Sequence, residues 1–119
     1  REGLHTMTLK GITGAQEIQN ILERVRNNPP TVLGDYKVKE VRDYLKEEIT
    51  NVATKEVSPT GLPVSNVLYY DLEDGAWCCV RPSGTEPKIK FYFGVKGTSF
   101  EDANEKLEAL TKAMLDFAK

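Results

Sequence analysis

Three apolar runs in the second half of the chain, separated by two short turns, constrain the fold more than any other feature. Residues 67–72 (Val-Leu-Tyr-Tyr-Asp-Leu) and 76–81 (Ala-Trp-Cys-Cys-Val-Arg) flank Glu73-Asp74-Gly75. An Asp-Gly pair between strand-like runs is a strong hairpin signal, because the two central residues of a tight hairpin turn both need positive φ. The third run, 88–96, alternates strictly. Ile89, Phe91, Phe93 and Val95 fall on one side, and Lys88, Lys90, Tyr92 and Lys96 on the other. That pattern predicts a strand with one face in the core and one face wetter. Links this short predict antiparallel neighbours.

The remaining segments fit around this sheet. A loose alternation predicts a first strand at about 5–10. A helix follows, with Thr13 as N-cap, Gln16 completing a capping box, and Ile18, Ile21, Leu22 and Val25 on one buried stripe. Asn27-Asn28-Pro29-Pro30 ends it. Gly34-Asp35 is a turn into a strand from Tyr36, and Val41 breaks its phase, which suggests a bulge near Glu40. Residues 45–59 carry a weak pattern rich in charge. They read mainly as a surface excursion, with room for a short helix or a hairpin, and 58–63 as an irregular loop. After Gly97, Thr98 or Ser99 caps a last helix, with Glu101 or Asp102 near its positive end. Ala103, Leu107, Leu110, Met114 and Phe117 form that helix's apolar face. The resulting order, β-α-β-β-β-β-α, is an α+β arrangement: a mainly antiparallel sheet with two helices packed on one face.

Size and charge then narrow the function. At 119 residues the chain is one domain. A formal net charge of −2 provides no broad basic field for nucleic acid or an anionic membrane, so any anion site must be local. Phe91, Tyr92 and Phe93 lie on a strand, as the aromatics of an RNA-binding sheet do, but the RNP1 pattern is not matched and core packing accounts for them. Cys78 and Cys79 are adjacent on a strand and therefore point to opposite faces, which argues against a disulfide between them and for a cytoplasmic protein with reduced thiols. No apolar run approaches the ~20 residues that would span a bilayer. The opening Arg-Glu-Gly-Leu-His reads as the cut edge of a longer protein, without a signal peptide.

The loop joining the last two strands, Arg81-Pro82-Ser83-Gly84-Thr85-Glu86-Pro87-Lys88, has the chemistry of a phosphate site. Arg81 offers a planar, permanently charged fork. Ser83 and Thr85 offer hydroxyls. Gly84 has no side chain to keep an anion from backbone N–H groups. Pro82 and Pro87 stiffen the loop, and Lys88 and Lys90 add positive potential. The same residues are also ordinary turn formers, an arginine at a strand end is usually solvated, and Glu86 is unfavourable near an anion. The Walker A pattern is absent. No catalytic residue is assigned. His5, the only histidine, reads as a surface or packing residue, and Asp71, Glu73 and Asp74 flank a hairpin turn without metal-loop spacing.

The eight-residue string, followed by Ile-Lys-Phe-Tyr-Phe, resembles the phosphate-binding loop of the last domain of the α-D-phosphohexomutases, the phosphoglucomutases, phosphomannomutases and their relatives. Gly61 to Val67, the turn at 72–75 and Asn28-Pro29-Pro30 resemble the same domain, so the likeness covers most of the chain. It implies a C-terminal domain, residues 1–119, of a four-domain enzyme that interconverts hexose 1-phosphate and hexose 6-phosphate through a bisphosphate. It also implies that this domain grips the phosphate not being transferred. Carried over by position, Arg81, Ser83 and Thr85 would contact it by side chain and Gly84 by backbone, with Lys90 a secondary contact. The phosphoserine, the Mg²⁺ site and the sugar-reading loop would lie on other domains, so this domain would hold no cofactor and would be inactive alone. Expected partners are a glucose or mannose phosphate and the other domains of the same chain, with no nucleic acid and no membrane. A free-standing phosphate-ligand module is the alternative.

Overall fold

The computed structural model describes residues 2–8, 14–83 and 87–118. Its elements are β1 (Glu2–Thr8), α1 (Gly14–Asn27), β2 (Val32–Leu33), β3 (Tyr36–Asp43), β4 (Glu48–Asn51), β5 (Val57–Pro59), β6 (Leu68–Leu72), β7 (Trp77–Pro82), β8 (Lys88–Gly94) and α2 (Phe100–Ala118). Seven strands form one open sheet in the order β1-β8-β7-β6-β3-β4-β5, and β2 pairs with β3 beside it. Every pairing among the described residues is antiparallel. This is the α+β architecture expected from the sequence.

The three C-terminal strands follow the predicted pattern closely. Between β6 and β7, Asp74 and Gly75 both adopt positive φ (58° and 73°), and the Ala76 N–H donates to the Glu73 carbonyl at 3.1 Å. These are the marks of a type I′ turn, whose twist matches that of the flanking strands. In β8, Ile89, Phe91 and Phe93 are fully buried while Lys88, Lys90 and Tyr92 are half-buried on the other face.

Both helices cover the first of these faces. Ile18, Leu22 and Val25 from α1 and Ala103, Leu107, Leu110, Met114 and Ala118 from α2 join the inward residues of β3, β6, β7 and β8 in one core. Each fully buried aliphatic side chain there contributes about 1.5–3 kcal/mol. Ile21 and Phe117, expected on the buried stripes, are only partly buried at the margin of the core. Helix α2 is capped by Ser99, whose Oγ accepts from the Asp102 N–H at 3.1 Å. The Asp102 carboxylate in turn accepts from the Thr98 N–H and pairs with Lys106. These contacts, the Thr98 N–H foremost, hold its carboxyl below the usual range. Thr13, the expected cap of α1, lies outside the described residues, and the Gln16 amide donates to Asn20.

Three features of the strands have physical causes. Strand β1 begins at Glu2 rather than near His5, because its bounds are set by pairing with β8, from Glu2↔Gly94 to Thr8↔Lys88; residues 9 and 10 lie outside the described residues. The bulge near Glu40 is present as a register shift between Val38 and Glu40, and it turns Val41 and Asp43 towards the helices, opposite Tyr70 and Leu68. Residues 48–59 form a hairpin, β4–β5, that extends the sheet. Its turn is held by the Asn51 side chain, which accepts from the Ala53 and Thr54 N–H groups at 3.0 Å, and by Lys55 at φ 66°. A short hairpin of this kind, with three residues paired on each side and little of it buried, lacks an apolar alternation to betray it.

Two substitutions test this packing. A Cβ on Gly97 would sit 2.5 Å from the Ala103 backbone nitrogen, which cannot move without shifting α2. Gly97→Ala should therefore cost roughly 1–3 kcal/mol in urea unfolding. The Tyr70 hydroxyl is fully buried and makes no hydrogen bond to the described residues, and burial holds its pKa far above that of a free phenol. Removing an unsatisfied buried group relieves desolvation. Tyr70→Phe should be neutral or stabilising by about 1 kcal/mol; a loss of that size would mean the hydroxyl has a partner.

Candidate functional site

The register brings several loops to one end of the sheet. Thr8 pairs with Lys88, Pro82 with Ile89, Leu68 with Val80, and Asp43 with both Leu68 and Glu48. The turn after β3, the loop entering β6 and the loop joining β7 to β8 therefore emerge side by side. Two of them are tied together from below. Arg26, at the end of α1, donates from Nε to Asp43 at 3.0 Å and from Nη2 to the Asn66 side-chain Oδ1 at 2.8 Å. Asp43 also accepts from the Leu45 and Lys46 N–H groups. The Tyr44 N–H donates to Val67 and the Ser65 N–H to Tyr44. Arg26 and Asp43 are about nine-tenths buried, so this pair fixes the loop bases in a low-dielectric setting.

Arg81 and Lys90 are directly paired across β7 and β8, on the face away from the helices. Both belong to the site expected from the sequence, and the fold places them side by side. Like charges opposite each other on a sheet are destabilising in isolation. Neither forms an ion pair with another described residue. Together they make a small cationic surface at the loop base. Ser83 is half-buried, and its N–H donates to the Lys88 carbonyl at 2.9 Å, closing the loop. That N–H is therefore committed, and the hydroxyl is what Ser83 has to offer a ligand. Gly84 and Thr85, the other two expected contacts, and Glu86 lie outside the described residues.

Sequence reasoning missed one neighbour of this pair. The Arg81 guanidinium carbon lies 5.6 Å from the Tyr92 ring centroid. Tyr92 follows Lys90 by two on the same face, and pairs with Cys79, which precedes Arg81 by two. The diagonal contact follows from the register once β7 and β8 are aligned, which was the available signal. Further in, Tyr69 and Trp77 stack with centroids 5.9 Å apart, and Arg42 lies over Tyr69 at 4.9 Å. Trp77 fits against the sheet because Gly94 has no Cβ; one placed there would fall 2.0 Å from the indole nitrogen. Cys79, among these rings, has its thiol pKa raised by burial, partly offset by the Arg81 charge. No group of three His, Cys, Asp or Glu side chains among the described residues is arranged to hold a metal.

Comparison with known proteins places this geometry in context. Residues 24–111 match the family model for the phosphoglucomutase/phosphomannomutase C-terminal domain. Over 107 residues the chain is 37% identical to the phosphoglucomutases of Staphylococcus aureus strains MSSA476 and MRSA252, covering 90% of this chain and 19% of each relative. The enzyme of strain N315 is 36% identical over the same length. The chain thus spans about a fifth of the length of these relatives.

Proposed function

Because the chain belongs to the phosphoglucomutase/phosphomannomutase family, matching its C-terminal domain, we propose that it is the phosphate-gripping domain of a longer hexose-phosphate mutase. The observation that carries this is the juxtaposition of Arg81 and Lys90 on the open sheet face, beside a loop closed by Ser83 and Lys88. Arg81, Ser83 and Thr85 hold the non-transferred phosphate by side chain, Gly84 by backbone, and Lys90 from the neighbouring strand. The ligand is a glucose or mannose phosphate, and the other partners are further domains of the same chain.

The logic is one of position. Interconversion through a bisphosphate requires that the far phosphate be first one and then the other. A clamp of cations and hydroxyls recognises phosphate without reading the ring, so it accepts both orientations. Binding energy gained remote from the reacting centre holds the sugar in line for attack. Mounted on a hinged terminal domain, the clamp closes the cleft and reopens it. A Mg²⁺ ion on another domain would polarise the phosphate being transferred; the described residues here do not form such a site, and their role is to bind and orient. On this reading the 119 residues alone are inactive. A cytoplasmic setting is supported by Cys78 and Cys79, both free thiols.

Two measurements test the proposal. Titrating the chain with glucose 6-phosphate should shift the amide resonances of Ser83, Gly84 and Thr85 first. A dissociation constant in the millimolar range, roughly, is expected, because a few solvent-open charged bonds must offset the cost of association. Shifts centred on another surface would displace the site. In the complete enzyme, Arg81→Lys keeps the charge but loses the planar fork. Losing part of a charge-assisted contact should lower kcat/KM by roughly 10- to 100-fold with both the 1-phosphate and the 6-phosphate sugar. A defect with only one of them would end the orientation-blind clamp, and wild-type kcat/KM with both would remove Arg81 from the site.

A further inference from the structure

Arg81 stands on the rim of the sheet with an exposed side chain. A free arginine there would sample many rotamers, and ordering it on a ligand would cost conformational entropy. Its direct neighbour Lys90 repels it. It is attracted by the Tyr92 ring, whose centroid lies 5.6 Å from the guanidinium carbon. We propose that Tyr92 is a positioning residue: it stacks beneath Arg81 and holds the guanidinium ready for phosphate. This rests on the phosphate site proposed above.

The position of the guanidinium carbon over the ring suits that task. A guanidinium meets a ring with its flat face, whereas its N–H donors lie in its plane. The contact with Tyr92 therefore restrains Arg81 without consuming the donors that a phosphate needs. Arg42 supplies an internal contrast. It too lies over a tyrosine, Tyr69, but also pairs with Glu40 at 3.4 Å, so some of its donors are already engaged. Arg81 has the ring and no described acid. Tyr92 itself is anchored: it sits mid-strand, paired with Cys79 on one side and with Leu4 of β1 on the other. It is thus a fixed platform under an exposed cation.

The test is a double-mutant cycle on the 119-residue chain, with glucose 6-phosphate and inorganic phosphate as probes. Tyr92→Leu should weaken binding about two- to fivefold, the scale of an exposed cation–π contact. Tyr92→Phe, which keeps the ring, should bind like the wild type. In an Arg81→Ala background, Tyr92→Leu should have no further effect. Independently of any variant's folding, the Arg81 Nε–H of the wild type should resonate upfield through the ring current, as it should in Tyr92→Phe. Wild-type affinity in Tyr92→Leu, an equal loss in both backgrounds, or an unshifted Nε–H would each overturn the positioning role. If Arg81→Ala weakens binding while Tyr92→Leu does not, the phosphate site stands and only the platform falls. If Arg81→Ala leaves affinity unchanged, both fall.

Discussion

The antiparallel register of β6, β7 and β8 is the constraint on which the rest of the molecule depends. Side chains alternate across a strand, so a slip of one residue would send Phe91 and Phe93 to solvent and Arg81 and Lys90 into the core. The register is pinned twice: by the type I′ turn at Asp74-Gly75, which sets β6 against β7, and by the burial of Ile89, Phe91 and Phe93 beneath the helices. The same alternation that builds the core thereby builds the cationic pair on the opposite face. Fold and candidate site are two readings of one periodicity.

A second constraint operates at the sheet end. The buried Arg26–Asp43 pair is poor evidence for net stability, since desolvating two charges offsets most of their attraction. Its contribution is geometric. Asp43 caps the turn that follows it, and Arg26 reaches across to Asn66 in the loop before β6. Removing either partner would leave the other charged and buried, at a cost of roughly 3–5 kcal/mol. It would also free two of the loops that neighbour Arg81. The bulge between Val38 and Glu40 is what aims Asp43 inward, so an irregularity of β3 ends up ordering the loop end of the sheet.

How much of this was legible in the sequence depended on whether a segment buries an apolar stripe. Strands β6 to β8, helix α2 and the inner face of α1 do so, and their periodicity located them. Even the bulge was visible, because Val41 broke the phase of β3. The β4–β5 hairpin buries little, and backbone pairing with an Asn51-centred turn holds it, so its pattern was mute. The bounds of β1 were hidden for a related reason: its partner, β8, is 80 to 92 residues away in sequence, from the Thr8–Lys88 pair to the Glu2–Gly94 pair. Arg81 and Lys90 could be nominated from their chemistry, but their direct pairing is a tertiary fact. Tyr92 carries no site-like signal of its own. Its relevance appears only when two strands are aligned.

The open face of the sheet repeats one device. Tyr69 carries Arg42 and Tyr92 carries Arg81, while Trp77 lies against the sheet over Gly94 and stacks on Tyr69. Rings laid down in this way cover the sheet while leaving cations uppermost, which lets a sheet face stay wet without shedding its aromatic packing. The two arginines differ in what else holds them. Arg42 is tethered by Glu40 and serves the surface of the domain. Arg81 stands next to Lys90, and two adjacent cations gain most from an anion that neutralises both. In a chain of net charge −2, that concentration of positive charge beside a closed loop is a local exception to the global balance. It is this exception, more than any enclosed cavity, on which the proposed phosphate site rests.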